Sequence, residues 1–271
     1  MSDQPKISVI TPSYNQGRFL EKTIRSVLDQ GYPNLEYIVI DGGSTDDSVE
    51  VIKRYADRLS FWVSEKDRGQ SHAINKGMAR ATGDILAWLN SDDYYEPGAL
   101  QTVAEAAAAN PQAGVFVGHG RKVDPDGKEV YYKAPRELTF DGLCQWMEGG
   151  NFMQPSCFFR KSVWDEAGPL DEDVHIALDV DLWLKMVKIS TFAKIDKLLS
   201  SAVFHPDAKT AAFRHRMVVD CSLVIMRAGG VEYARKYLNR MADRQAYLEA
   251  QVARITRNPL YRLLRPLLKR S

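Results

Sequence analysis

Cysteine is scarce in this 271-residue chain, and the three present, Cys144, Cys157 and Cys221, are odd in number, far apart and without a CxxC pair. That usage argues against a disulfide scaffold and a structural zinc site, and it predicts a reducing compartment. An excess of one charge is also lacking: 36 Lys and Arg against 35 Asp and Glu leave a net charge of +1. No overall field attracts nucleic acid, so the expectation is no nucleic-acid partner, and any basic function is local. No apolar run approaches the roughly 18 residues that span a bilayer. The opening MSDQPK runs into a strand with no leader-like stretch, which predicts a cytoplasmic protein or one held peripherally on the inner face of a membrane. Neither GxxxxGK[ST] nor a GxGxxG after the first strand occurs, which disfavours NTPase and dinucleotide-binding readings. No internal repeat is visible, and the only compositional bias is a mild one at Ala104 to Ala109.

What is present is acid at the ends of apolar segments. WLNSDDYYE, Trp88 to Glu96, places Asp92 and Asp93 just after the apolar run that closes at Leu89. LEYIVID, Leu35 to Asp41, closes on an acid and leads into GGSTDD, while KISVITPSYN, Lys6 to Asn15, is an apolar strand expected to break at Pro12 into a polar, aromatic loop. In an open α/β sheet the ligand sits outside the carboxyl ends of the strands, so three such ends outline one crevice. A composition of 45% hydrophobic and 26% charged residues supports one large or two modest globular domains.

The pattern along the chain alternates. Arg18 to Gln30 puts Phe19, Ile24, Val27 and Leu28 on one helical face before Gly31, Tyr32 and Pro33 stop it. A strand at Glu36 to Ile40, a helix at Asp46 to Tyr55 with Ser44 and Asp47 as a capping box, a strand at Phe61 to Ser64, a helix at Ser71 to Ala79 and a strand at Ile85 to Leu89 follow. The first hundred residues therefore read as βαβαβαβ with parallel strands and right-handed crossovers. Beyond Pro97 come an alanine-rich helix, Ala99 to Ala109, and a hairpin of Val115 to Val123 with Lys128 to Tyr132 about the turn DPDG. A helix from about Asp179 to Ile189 turns Leu182, Trp183 and Met186 inward, and from Ala211 onward the chain reads as helical.

These residues resemble a known family. VITPSYNQGRFLEKTIRSVLDQGYPNLEYIVIDGGSTDDS, EKDRGQSHAINKGMARATGDILAWLNSDD, AGPLDE and ALDVDLWLKM are similar, in that order, to inverting nucleotide-sugar glycosyltransferases of family 2. The likeness spans about Ile7 to Lys209. It implies the GT-A fold, a Rossmann-like mixed sheet flanked by helices. Residues 1–98 would be the nucleotide-sugar-binding half, 99–210 the acceptor and catalytic half of the same domain, and 211–271 a helical C-terminal extension. It also implies a nucleotide-diphospho-sugar donor and a saccharide or lipid-linked acceptor, as in polysaccharide or cell-envelope synthesis.

The resemblance also distributes roles. Mn²⁺ or Mg²⁺ takes hard oxygen ligands and shares its site with substrate phosphates, so one or two carboxylates suffice. The family's DxD motif falls here on Ser91, Asp92 and Asp93, which makes Asp93 the expected metal ligand and puts Asp92 on a ribose hydroxyl or a metal-bound water. Asp41 corresponds to the position that meets the nucleobase, with Thr11, Pro12 and Tyr14 as the other wall of the pocket; the other reading of Asp41 is a turn acid before Gly42 and Gly43. Asp46 and Asp47 read as helix caps. Arg68, in DRGQ before a helix N-terminus, suits an anion and is a nucleotide-binding candidate, or is a solvated charge. Asp179 corresponds to the general base, and Asp181 is a cap or a second candidate. His205 and Lys209, in FHPDAKT, would approach metal and phosphate or are structural.

Several side chains have a core reading. Trp62, Trp88 and Trp183 belong there; Trp146, beside Gly149 and Gly150, either stacks on a sugar or packs. His72, His119, His175 and His215 have no partner at metal-ligand spacing. The C-terminal RITRNPLYRLLRPLLKRS holds six basic residues, no acid and a leucine series, which suits an anionic membrane surface or a helix packed on the body or on a second subunit of a homo-oligomer. Two other functions compete with sugar transfer. A nucleotidyltransferase would show a glycine-rich basic loop where this chain has TPSYNQGR, and a silent sugar-nucleotide binder would have no use for Asp179.

Overall fold

The computed structural model describes residues 4–205, 214–258 and 261. Its nine strands form one mixed sheet in the order β3-β2-β1-β4-β8-β6-β9-β5, with β7 added on β6. β1 (Ile7–Ser13), β2 (Leu35–Asp41), β3 (Phe61–Ser64) and β4 (Ile85–Trp88) run parallel to one another. They alternate with helices α1 (Gly17–Leu28), α2 (Ser48–Arg54) and α3 (Gln70–Met78), as the βαβ pattern requires. Successive residues of β1 face opposite layers: Ile10 joins the core on the α3 side, while Ile7 and Val9 join that on the α1 side. Burial on both faces is why the strand reads as one continuous apolar run.

β1 does not break at Pro12. It pairs with β2 as far as Ser13↔Asp41, but its pairing with β4 ends at Ile10↔Trp88. Past that point β1 has an open side, where a residue lacking an N–H is tolerated. The expected capping box at α2 is not formed either. Ser44 turns back to donate to Asp41, while Asp46 accepts from the Ser48 amide and hydroxyl and from the Gly17 amide.

After Trp88 the topology becomes mixed. β5 (Asp93–Tyr95) pairs antiparallel with β9 (Thr191–Val203), β6 (Ala113–Val123) runs antiparallel to β7 (Glu129–Lys133) but parallel to β9, and β8 (Cys157–Arg160) slots antiparallel between β4 and β6. Helices α4 (Ala99–Ala109), α5 (Phe140–Cys144), α6 (Lys161–Ala167) and α7 (Leu178–Ile189) complete the body. The expected alanine-rich helix and DPDG hairpin are present; β5 and β8 had no signature of their own. Two helices, Arg214–Arg227 and Val231–Arg257, end the described chain.

α7 is seated by aromatic packing. Trp183 stacks on Trp88 with ring centres 5.3 Å apart, and Phe152 and Phe159 close round it. Full burial of each such side chain contributes roughly 1.5–3 kcal/mol. The stack fixes the start of α7 over the carboxyl end of β4, where the acids lie.

Candidate active site

Two loops laced together form the first wall. Past β1, Asn15 adopts a left-handed conformation, φ 51°. Its amide donates to Ser44 Oγ at 2.8 Å and its side-chain oxygen accepts from the Thr45 amide at 2.8 Å. Asp41 anchors the second loop: it is fully buried and its carboxylate accepts from the Gly43 and Ser44 amides and from the Ser44 and Ser64 hydroxyls. Four donors fill the usual capacity of a carboxylate. Asp41 thereby shapes the turn, and a nucleobase would reach its oxygens only by displacing a serine. Thr11 and Pro12 are buried within β1, and the Thr11 hydroxyl is bonded to Tyr37 Oη at 3.0 Å. Tyr14, 60% exposed, is the side chain of that wall that faces solvent.

The second wall is the Asn90–Asp93 turn, held from beneath by Thr23 of α1, whose hydroxyl lies 2.8 Å from the Ser91 carbonyl and 2.7 Å from that of Asp93. The two adjacent acids are treated differently. Asp93 enters β5 and is buried, accepting from the Asn90 side chain at 3.2 Å; burial first, and the neighbouring Asp92 charge second, push its carboxyl well above the usual carboxylate range. Asp92 precedes the strand and meets His205 Nε2 at 3.0 Å. His205 follows β9, rests on the Phe19 ring at 4.5 Å and is buried, and its Nδ1 has no hydrogen-bond partner among the described residues. Asn90 ties the turn to both sides, accepting from Gln70 of α3 at 2.8 Å and donating to Gln154 at 3.1 Å, while Gln154 donates to the Trp88 carbonyl. Asn90 and Gln154 had no assigned role in the sequence; the motif quoted around Asn90 was the available signal.

Among the described residues no group of three or more His, Cys, Asp or Glu side chains is arranged to hold a metal. The Asp92 and His205 pair nonetheless fits one of the ions expected. Mg²⁺ and Mn²⁺ need few protein ligands when phosphates supply the rest, and an imidazole favours the softer Mn²⁺. To ligate through Nε2, His205 would carry its proton on Nδ1, the atom left without a partner.

In the first turn of α7 stands Asp179, half-buried and accepting from the Val180 amide at 2.8 Å. One turn separates it from Trp183, so it lies on the face packed toward Trp88. Its charge reaches the Cys157 thiol at the start of β8, which burial foremost and Asp179 next push far up. Asp181 is committed elsewhere: buried, it pairs with Arg227 at 2.6 Å and Lys185 at 2.8 Å, and Arg227 also binds Asp171 at 2.7 Å. Arg68, largely exposed, directs two guanidinium nitrogens at Glu172 at 2.7 and 2.8 Å. An exposed pair of this kind contributes little, so the guanidinium can exchange its carboxylate for a phosphate. Trp146 packs edge-on against Phe152 at 5.2 Å. His119 contacts Tyr132 and Asp196. Lys209 and the residues beyond 261 lie outside the described residues, and the side chain of His215 is likewise not described.

A family model for Glycosyl transferase family 2 matches residues 8–167. The chain is 27% identical over 264 residues to a chondroitin synthase of Pasteurella multocida, covering 90% of this chain and 27% of that protein. It is 34% identical over 142 residues to a putative teichuronic acid biosynthesis glycosyltransferase, TuaG, of Bacillus subtilis, covering 51% of this chain and 56% of that one. It thus spans from about a quarter to two-thirds of the length of these and similar curated relatives. Among solved structures, TarS 1–349 of S. aureus in complex with UDP superposes with a TM-score of 0.65 at 19% identity, covering 87% of this chain and 71% of that one. The mannosyltransferase PcManGT of Pyrobaculum calidifontis in complex with GDP-Man and Mn²⁺ superposes with a TM-score of 0.60 at 22% identity, covering 97% and 83%. These likenesses show the GT-A fold.

Proposed function

This chain belongs to glycosyl transferase family 2, and from that premise we propose that it moves a sugar from a nucleotide-diphospho-sugar to a hydroxyl of a saccharide or lipid-linked acceptor, with inversion at the anomeric carbon. The observation that carries the reading is the pairing of Asp92 with His205 just beyond β4, whose Trp88 stacks on Trp183, one turn past Asp179 in α7. Relatives named for chondroitin and teichuronic acid synthesis point to polysaccharide-type products.

In this reading Tyr14 and the loop ordered by Asp41 flank the base, with Thr11 and Pro12 backing that wall from within β1. Arg68 leaves Glu172 for the diphosphate. Asp92 and His205 would hold Mn²⁺ or Mg²⁺, which when bound neutralises charge on the diphosphate. Asp93, buried behind them, holds the turn through Asn90 instead of contacting the ion. Asp179 accepts the acceptor's hydroxyl proton as that oxygen bonds to the anomeric carbon, while the bond from that carbon to the diphosphate breaks and its electron pair leaves with the phosphate oxygen. Asp181, tied to two cations, is unsuited to the same task.

A thermal-shift panel of UDP-, GDP- and dTDP-sugars with and without Mn²⁺ tests the proposal. A ligand at a hundredfold excess over its Kd adds about 2.7 kcal/mol of stability, so one metal-dependent responder is expected. Stabilisation by free nucleoside triphosphates alone, with pyrophosphate release, would return the chain to the nucleotidyltransferase reading.

A further inference from the structure

The helix Val231–Arg257 begins on the body and then leaves it. Ala234 and Tyr237 are buried against the chain, whereas every residue from Met241 to Ala250 is exposed. The emergent part extends about 25 Å at 1.5 Å per residue, and a helix of that length alone in water is marginal. It nevertheless carries a continuous apolar seam. Val231, Ala234, Leu238, Met241, Gln245, Leu248, Val252 and Ile255 recur at alternating three- and four-residue steps, the a and d positions of a heptad sustained over three repeats. Met241, Leu248, Val252 and Ile255 are 37, 49, 58 and 53% exposed. The seam that buries Ala234 within the chain therefore continues with none of the described residues covering it.

The charges beside the seam specify the occupant. Arg244 falls at a g position and Glu249 at the following e position, so in a parallel, in-register pair each Arg244 faces Glu249 of the second copy, twice over by symmetry. Among the described residues Glu249 accepts only from Gln245, at 3.0 Å on an exposed surface. Gln245 is the one polar residue in an a position along the emergent seam, the device that fixes register and strand number at some cost in stability. We propose that this helix forms a parallel two-stranded coiled coil with a second copy of the chain, making the enzyme a twofold dimer joined outside its active site. This does not depend on the sugar-transfer reading.

Sedimentation velocity on the full chain, from about 1 to 200 μM, tests it over the affinity range of so short a coil. A concentration-dependent dimer is expected, with Leu248→Arg/Val252→Arg weakening it at least tenfold at unchanged circular dichroism. Should that variant unfold, the charge pair decides: Arg244→Glu weakens dimerisation several-fold and Arg244→Glu/Glu249→Arg restores it. Oxidative cross-linking supplies the geometry, with Leu248→Cys linking two chains and Tyr247→Cys, off the seam, not doing so. A chain that stays monomeric throughout overturns the proposal, as does a dimer indifferent to both sets of substitutions. So does a monomer whose seam variants lose binding to phosphatidylglycerol vesicles, since the seam would then be a membrane-facing surface.

Discussion

Asp92 and His205 stand 113 residues apart in sequence and 3.0 Å apart in space. The strand pairing that joins them is specific: Asp93↔Ala202 between β5 and β9 sets Asp92 just before one strand opposite the chain that leaves the other. A three-residue strand thus decides which of two adjacent acids meets the imidazole.

The metal assignment follows from that register. His205→Ala and Asp92→Asn should each weaken Mn²⁺-dependent binding of the nucleotide diphosphate at least tenfold in calorimetry, with metal-free binding little changed. Asp93→Asn should leave the metal dependence largely intact, because its carboxyl is buried beneath Asn90. The reverse pattern, with Asp93 indispensable and Asp92 neutral, would move the ion to the strand residue.

The base assignment is tested by separating binding from rate. Asp179→Asn should keep donor affinity and lower kcat about 10²- to 10⁴-fold, the usual contribution of a positioned base. Asp181→Asn should act on stability instead. Its carboxylate is buried but its partner Arg227 is half exposed, so a loss of about 1–3 kcal/mol in urea unfolding is expected, between surface and buried ion pairs. Near-normal turnover by Asp179→Asn would redirect the search along α7.

The parallel half of the sheet was legible because β1, β2 and β4 are buried on both faces and each reads as an unbroken apolar run ending in a polar tip. β5 and β8 were not, since DYY and CFFR are too short to show a period and exist through pairing with β9, β4 and β6. Within the site, the acids of Asp92 and Asp93 were legible but not their division of labour. Strand alternation puts Asp93 on the face of the buried Tyr95, a signal present in DYY once β5 is recognised. The commitment of Asp181 to Arg227, and of Asp41 to four local donors, could not be read from spacing, because each partner arrives from a distant element or from the turn's own conformation.

The cysteines were expected to be free, and all three are buried thiols. Burial, then the Asp141 charge, pushes Cys144 up to about 11, and burial followed by carboxylates also raises Cys157 and Cys221. Thiolate is the nucleophile, so iodoacetamide at pH 8 should label none of them in the folded chain and all three in urea. Rapid labelling of Cys157 under native conditions would mean that α7 opens from β8.

The acid limb of stability should run through Glu36. Burial alone would raise its carboxyl, but hydrogen bonds from the Ser8 hydroxyl, the Thr82 amide, the Lys6 ammonium and the Thr82 hydroxyl together bring it down to about 2. A carboxylate lowered on folding stabilises the native state above its unfolded pKa of about 4.3, and that contribution fades as pH falls toward the folded value. A shift of this size corresponds to about 3 kcal/mol at neutral pH. Glu36→Gln should therefore lower the unfolding free energy at pH 7 by an amount of that order and flatten its decline between pH 5 and pH 2. The same four donors tie β1, β2 and the Thr82 turn together behind the catalytic edge, so urea titrations across this pH range, read alongside donor binding at pH 7, should show a weakened fold with the active site still formed. A variant whose pH profile parallels that of the parent chain would assign the acid sensitivity to other carboxylates.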